Sequence, residues 1–168
     1  MKFLRATHLV ITATNKEVLE EIKIIIEDFL KKRGLELSEE KTEITHINKG
    51  FNFLGWNFRK YDGKMIIKPS KKSYKSIMKE IREEIKKQKT IKQRDLIRIL
   101  NPKIRGWCNY HRTACSKKSY QRMDRDIFQA LWKWAKRRHP KKPSKWTKGK
   151  YWKSEGNVTG YFQMDRQN

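Results

Sequence analysis

Between residues 68 and 153 the chain carries 29 Lys and Arg against 6 Asp and Glu, a net charge of +23. Such an excess repels itself in the folded state and favours polyanionic partners. It also restricts the fold, because each element must gather its apolar residues on one face and send its cations to water. The hydrophobic spacing obeys this. Ser70 stands as the cap of a helix in which Tyr74, Ile77 or Met78, Ile81 and Ile85 form one stripe. A short helix is expected over residues 92–100, with Leu96, Ile99 and Leu100 apolar. Asn101-Pro102 would stop it and start another, Asn as cap and Pro at the first position, carrying Ile104, Trp107, Cys108 and His111. Ser116 then opens a longer helix through Tyr120, Met123, Ile127, Leu131 and Trp134. The Pro- and Lys-rich stretch HPKKPSKWTKGKYW that follows reads as an extended or loosely ordered arm.

The remainder of the chain is different in kind. Residues 1–67 hold 12 Lys and Arg against 10 Asp and Glu, and residues 154–168 hold 1 against 2. Nearly all of the formal charge of +24 therefore belongs to one segment of a 168-residue chain, and two modules with different jobs are the simplest account. In the first, residues 9–13 read as a short buried strand. Thr14 and Glu17 make a capping box for a helix with Leu19, Ile22, Ile26, Phe29 and Leu30 at helical spacing, and Gly34 stops it. Strands follow at residues 42–47 and, after Gly50, along FNFLGWNFRKY. Asp62-Gly63 turns the chain back through residues 65–68. The expected fold class is α+β: a small mixed β-α-β-β-β module over residues 1–68, a basic three- to four-helix bundle over 69–139, and a basic aromatic arm and tail over 140–168.

The chain is 36% hydrophobic and 36% charged, with Trp 6, Tyr 6 and Phe 7, which argues for a folded basic module over a disordered tail. Nucleic acid is the leading partner class and an anionic membrane surface the second. Two cysteines, no apolar run of transmembrane length and no signal-peptide pattern point to a soluble protein of the cytoplasm.

Three stretches carry a family resemblance. GLELSEEKT (residues 34–42) followed by FNFLGW (51–56) resembles the last palm motifs of group II intron reverse transcriptases. LNPKIRGWCNYHR (100–112) is similar to the maturase-specific domain of that family, also called domain X or the thumb, and KKPSKWTKGKYWKSEGN (141–157) to the segment after it. The resemblance implies a right-hand fold entered late in the palm. On that resemblance the chain is expected to lack the fingers and first catalytic aspartate that the family carries upstream, and its downstream DNA-binding and endonuclease regions. It also explains KFLRATHLVIT (2–12). The family pattern there resembles Lys-Phe-Val-Arg, Tyr-Ala-Asp-Asp and an apolar strand ending Ile-Thr. Here the flanks match, but the centre is the three residues Ala6, Thr7 and His8. Two-metal nucleotidyl transfer needs anionic oxygen ligands, and Mg²⁺ is not held by a Thr hydroxyl and an imidazole. The turn is a degenerate catalytic turn, so no reverse transcription and no metal or other cofactor is expected. Lys41, which matches a lysine near the incoming triphosphate, has nothing to assist.

Candidate contact residues follow from charge and helix face. Lys71, Lys72, Lys75, Lys79, Lys117, Lys118, Arg122, Arg125, Arg137 and Arg138 would form a polyanion surface. Arg105, Asn109, Tyr110 and Arg112 fall away from the apolar face that Trp107 shares with Ile104 and Cys108. Trp146, Lys148 and Lys150, with Tyr151 and Trp152, mix aromatics and cations as single-stranded RNA contacts require, although some must anchor the arm. Cys108, His111, Cys115 and His139 have spacing that invites zinc, but the cysteine on a core-facing helix reads better as a packing residue. His8 and His46 read as ordinary surface or strand histidines. The expected partner is structured RNA, by resemblance a group II intron. The alternatives are the C-terminal half of a split RNA-directed DNA polymerase, completed by a separate fingers-palm polypeptide, and a decayed fragment without function.

Overall fold

Amphipathic spacing builds most of what the computed structural model shows, and the model describes residues 9–38, 42–155 and 158–162. The chain divides into two units, Met1–Ile67 and Lys68–Asn168. The α+β class is as expected: helices and two small antiparallel sheets.

In the first unit, α1 spans Lys16–Lys31. Its cap is Asn15, and the expected Thr14–Glu17 capping box is not made. Thr14 instead donates to Asn15 Oδ1 at 2.7 Å. Gly34 ends the helix as expected. At φ +69° it lets Leu35 N–H reach Leu30 C=O and its own N–H reach Lys31 C=O, both at 3.0 Å. Strands β1 (Phe51–Phe53), β2 (Trp56–Tyr61) and β3 (Lys64–Pro69) form a three-stranded antiparallel sheet in chain order. Phe51 faces Phe58 and Phe53 faces Trp56, and the two phenylalanine rings stack with centroids 5.2 Å apart. Leu54-Gly55 and Asp62-Gly63 have positive φ at both positions, as two-residue hairpin turns require. Gly50 has φ +79°, and a Cβ there would lie 2.8 Å from the Phe58 carbonyl oxygen.

The strands expected at residues 9–13 and 42–47 are not formed. A β-branched run becomes a strand only where a neighbouring strand takes its N–H and C=O groups, and among the described residues no strand pairs with either segment. Leu9, Val10 and Ile11 are exposed, and no residue of α1 is buried.

The second unit holds α2 (Lys71–Lys87), α3 (Gln93–His111), α4 (Lys117–Arg138) and α5 (Ser144–Tyr151), then a hairpin of β4 (Trp152–Glu155) and β5 (Val158–Phe162). Ser70 caps α2 by accepting from Ser73 N–H at 3.1 Å. Helix α2 packs against both α3 and α4, and α4 against α5. The core is Tyr74, Ile77, Met78, Ile81 and Ile85 from α2, Leu96 and Leu100 from α3, Met123, Leu131, Trp134 and Ala135 from α4, and Tyr151 with Trp152.

Two expectations fail here. First, Asn101-Pro102 does not divide α3, and Pro102 lies inside one continuous helix. Proline costs about 3 kcal/mol in a helix interior. Against this, Leu96 and Leu100 before it and Ile104 and Trp107 after it all pack into the same core. Each such side chain recovers roughly 1.5–3 kcal/mol on burial, so two halves held in line outweigh one missing hydrogen bond. Second, the arm is not extended. Pro143 starts α5, and Thr147 and Tyr151 are buried on its inner side.

Candidate nucleic-acid interface

Six carboxylates cannot neutralise 29 cations, and the structure shows where they go. Glu80 and Glu84 of α2 both face Lys103 of α3, and Asp126 of α4 takes Arg82 of α2 at 3.4 Å. Glu83 lies 3.9 Å from Lys79, and Asp95 lies 3.8 Å from Arg98. Three of the six carboxylates thus tie helices together. Tyr74 also donates to Asp126 at 2.8 Å. Burial, and then this bond, push the phenol up to about 12, so it stays a donor.

The outward faces are cationic. Lys71, Lys72, Lys75 and Lys79 stand exposed on α2, and Lys117, Lys118, Arg122, Arg125 and Arg137 on α4. The guanidinium of Arg122 lies 4.9 Å over the Tyr74 ring, which brings the α4 cations beside those of α2. Arg138 is different: it turns inward. Its guanidinium lies 4.7 Å over Trp134 and donates to the Ile91 carbonyl at 2.5 Å, fastening the loop between α2 and α3. Trp134 reinforces that loop by donating to the Gln88 carbonyl at 2.6 Å.

Arg105, Asn109, Tyr110 and Arg112 are all exposed. The continuity of α3 reveals three further members of that surface. Arg94, Arg98, Asn101, Arg105, Asn109 and Arg112 recur at steps of three or four residues along one side of the helix. From Arg94 to Arg112 the stripe runs about 27 Å at helical rise. Arg94 and Arg98 escape a reading that breaks the helix at Pro102, because the stripe runs across the break. Behind the stripe, the core face is held by hydrogen bonds. Ser73 Oγ accepts from the Trp107 indole at 3.0 Å and lies 3.2 Å from His111 Nε2. His111 is fully buried, and burial lowers its pKa, which favours the neutral ring beside Ser73. Ser116 Oγ donates to the His111 carbonyl at 2.6 Å.

The residues with zinc-like spacing have other employment. Cys108 packs half-buried against the core, where burial pushes its thiol up and away from the thiolate a metal needs. His139 Nε2 pairs with the Tyr151 hydroxyl at 2.8 Å, and Cys115 is exposed. Among the described residues no group of three His, Cys, Asp or Glu is placed to hold a metal ion. His46 Nδ1 accepts from Asn48 N–H at 3.2 Å. Ala6, Thr7, His8 and Lys41 lie outside the described residues.

The arm aromatics divide. Trp152 sits in the core with its ring 5.3 Å from Phe128 and 5.2 Å from Trp132, and Tyr151 lies 5.6 Å from Trp134. Buried Gln93 donates to the Tyr151 carbonyl at 3.0 Å. Trp146 stays outside at 37% exposure, with Lys148 and Lys150 exposed beside it.

These features define the class: a basic helical bundle, sealed by its own C-terminal aromatics, with arginine and lysine faces suited to a polynucleotide. The comparison with known families agrees. The family model described as group II intron, maturase-specific domain matches residues 74–152, from the first core residue of α2 to the first residue of β4. No curated protein matches the chain. Among the described residues no helix is long and apolar enough to cross a membrane.

Proposed function

We propose that this protein binds structured RNA, by its family resemblance a group II intron, and assists intron folding and splicing as a maturase without reverse transcription. The observation that carries the reading is the arginine and asparagine stripe of α3, inside the segment that matches the maturase-specific domain. Arginine forks suit phosphates, and asparagine suits the sugar and base edges that an RNA surface offers. No covalent step is assigned to the protein: it neutralises phosphates and favours one RNA fold. The residue types at Ala6, Thr7 and His8 supply no carboxylate for a magnesium ion, so polymerase chemistry is no part of the proposal.

The test is equilibrium binding to a group II intron RNA at rising salt. With 6 to 10 phosphate contacts, affinity falls by roughly 10³–10⁵ between about 50 and 200 mM salt. Binding that is flat with salt overturns the reading. A second reading draws on α1, whose Ile24, Ile25 and Phe29 are 68%, 65% and 51% exposed. Such a face suits a further polypeptide, as in a split polymerase. Primer extension with a fingers-palm partner, absent from either chain alone, would favour that reading.

A further inference from the structure

Trp146 stands apart from the other tryptophans. Trp134 and Trp152 are buried and Trp56, Trp107 and Trp132 half-buried, whereas Trp146 is exposed on α5. Its ring is not loose. His139 meets it edge-on with centroids 4.8 Å apart, and the amines of Lys142 and Lys150 lie 5.5 and 5.1 Å from its centroid. The helix beneath it is anchored, since Thr147 and Tyr151 point into the bundle. Thr147 Oγ1 also donates to the Pro143 carbonyl at 3.3 Å. The result is a held indole with two amines over it.

One helical turn further along is Gly149. Its φ is not positive, and a Cβ built on it meets nothing within 4 Å. Neither backbone conformation nor packing asks for glycine, which costs a helix interior about 1 kcal/mol relative to alanine. It leaves the backbone bare between Lys148 and Lys150, on the side of Trp146. A bare backbone beside an aromatic and cations is what the close approach of a ligand strand requires.

We propose that Trp146, Gly149, Lys142 and Lys150 form a seat for one unstacked nucleotide of single-stranded RNA. The base stacks on the indole in place of an amine. The displaced Lys142 or Lys150 then meets the phosphate, and the sugar-phosphate backbone passes over Gly149. The proposal rests on the RNA-binding reading above but assigns a separate element and a separate form of RNA: α5 takes an unpaired base, and the α3 stripe does not depend on it.

The experiment compares the full chain with its Trp146→Ala, Trp146→Phe and Gly149→Ala variants. The probes are a short labelled oligouridylate, which keeps its bases unstacked, and an RNA hairpin whose stem is closed by a compact, internally stacked tetraloop. Trp146→Ala is expected to weaken oligouridylate binding by about 5- to 150-fold, the range that loss of one stacked base gives. Trp146→Phe should keep most of the affinity. Gly149→Ala should raise the melting temperature by about 1–4 °C while weakening oligouridylate binding several-fold. Hairpin binding should be unchanged in all three. If Trp146→Ala and Gly149→Ala bind oligouridylate as the wild type does, the seat is refuted while the RNA-binding reading stands. If the wild type binds neither probe, both fall. If a variant loses hairpin and oligouridylate affinity equally, α5 supports the fold and is no seat.

Discussion

Replacing Arg105 and Arg112 by glutamine removes two cations from the α3 stripe while keeping side chains of similar length and helix preference. Neither arginine has a carboxylate within 4 Å among the described residues. Both charges are therefore free to release counterions from RNA. Each phosphate contact contributes about 0.7 to 0.9 to the slope of log affinity against log salt. The double variant should be shallower by roughly 1.4 to 1.8, so between about 50 and 200 mM salt the wild type loses about 7- to 12-fold more affinity than the variant. Lys103→Gln is the internal control. It lies on the same helix and also removes one charge, but Lys103 is already held by Glu80 and Glu84. Its loss should lower the unfolding midpoint and leave the slope nearly unchanged. Fluorescence anisotropy with one labelled RNA across a salt series measures both. An unaltered slope in the double variant, or an equal change in Lys103→Gln, would refute the assignment of the α3 stripe to phosphate contact.

Other measurements reach other parts of the molecule. Ser70→Ala deprives Ser73 N–H of its acceptor and should cost about 1 kcal/mol by denaturant titration. Gly50→Ala forces a Cβ to within 2.8 Å of the Phe58 carbonyl oxygen at a φ of +79°. It should abolish amide protection in β1 and β2 while the helices of the second unit keep theirs. Burial lowers the pKa of His111, and burial together with Lys150, Arg138 and Lys142 lowers that of His139. In that window the unfolded chain binds protons that the folded chain refuses. Stability should therefore be level above about pH 6.5 and fall as pH drops below it. Replacing His111 by Gln should flatten that fall, read as urea midpoint against pH.

Much of the second unit is legible in the sequence because its two signals coincide. Residues 74, 77, 78, 81 and 85 share a face, and cations fill the rest of α2. Ser70 caps α2 as its chemistry suggests, as Gly34 ends α1 in the first unit, whereas Ser116 precedes α4 without a side-chain cap bond. The failures have physical causes. Local punctuation at Asn101-Pro102 is a strong break signal, but a core that engages both halves of α3 overrides it, and with that break went sight of Arg94 and Arg98. HPKKPSKWTKGKYW reads as an arm because lysines hide its period; Thr147 and Tyr151 are buried four residues apart on one side of α5. Residues 9–13 and 42–47 have strand composition, and composition cannot supply the neighbour that a strand needs. Arg138 counts as a surface charge by position, yet the Ile91 carbonyl and the Trp134 ring hold it.

The contact between Gln93 and Tyr151 joins residues 58 positions apart. The first turn of α3 is thus completed by the last turn of α5, and Trp152 covers Phe128 and Trp132 from beyond that point. During synthesis, α2, α3 and α4 all leave the ribosome before the residues that close their core. Until Tyr151 and Trp152 emerge, the nascent chain presents bare aromatic surface together with a large positive charge, beside ribosomal RNA. Closure of the core therefore has to compete with the attraction between those cations and ribosomal phosphate.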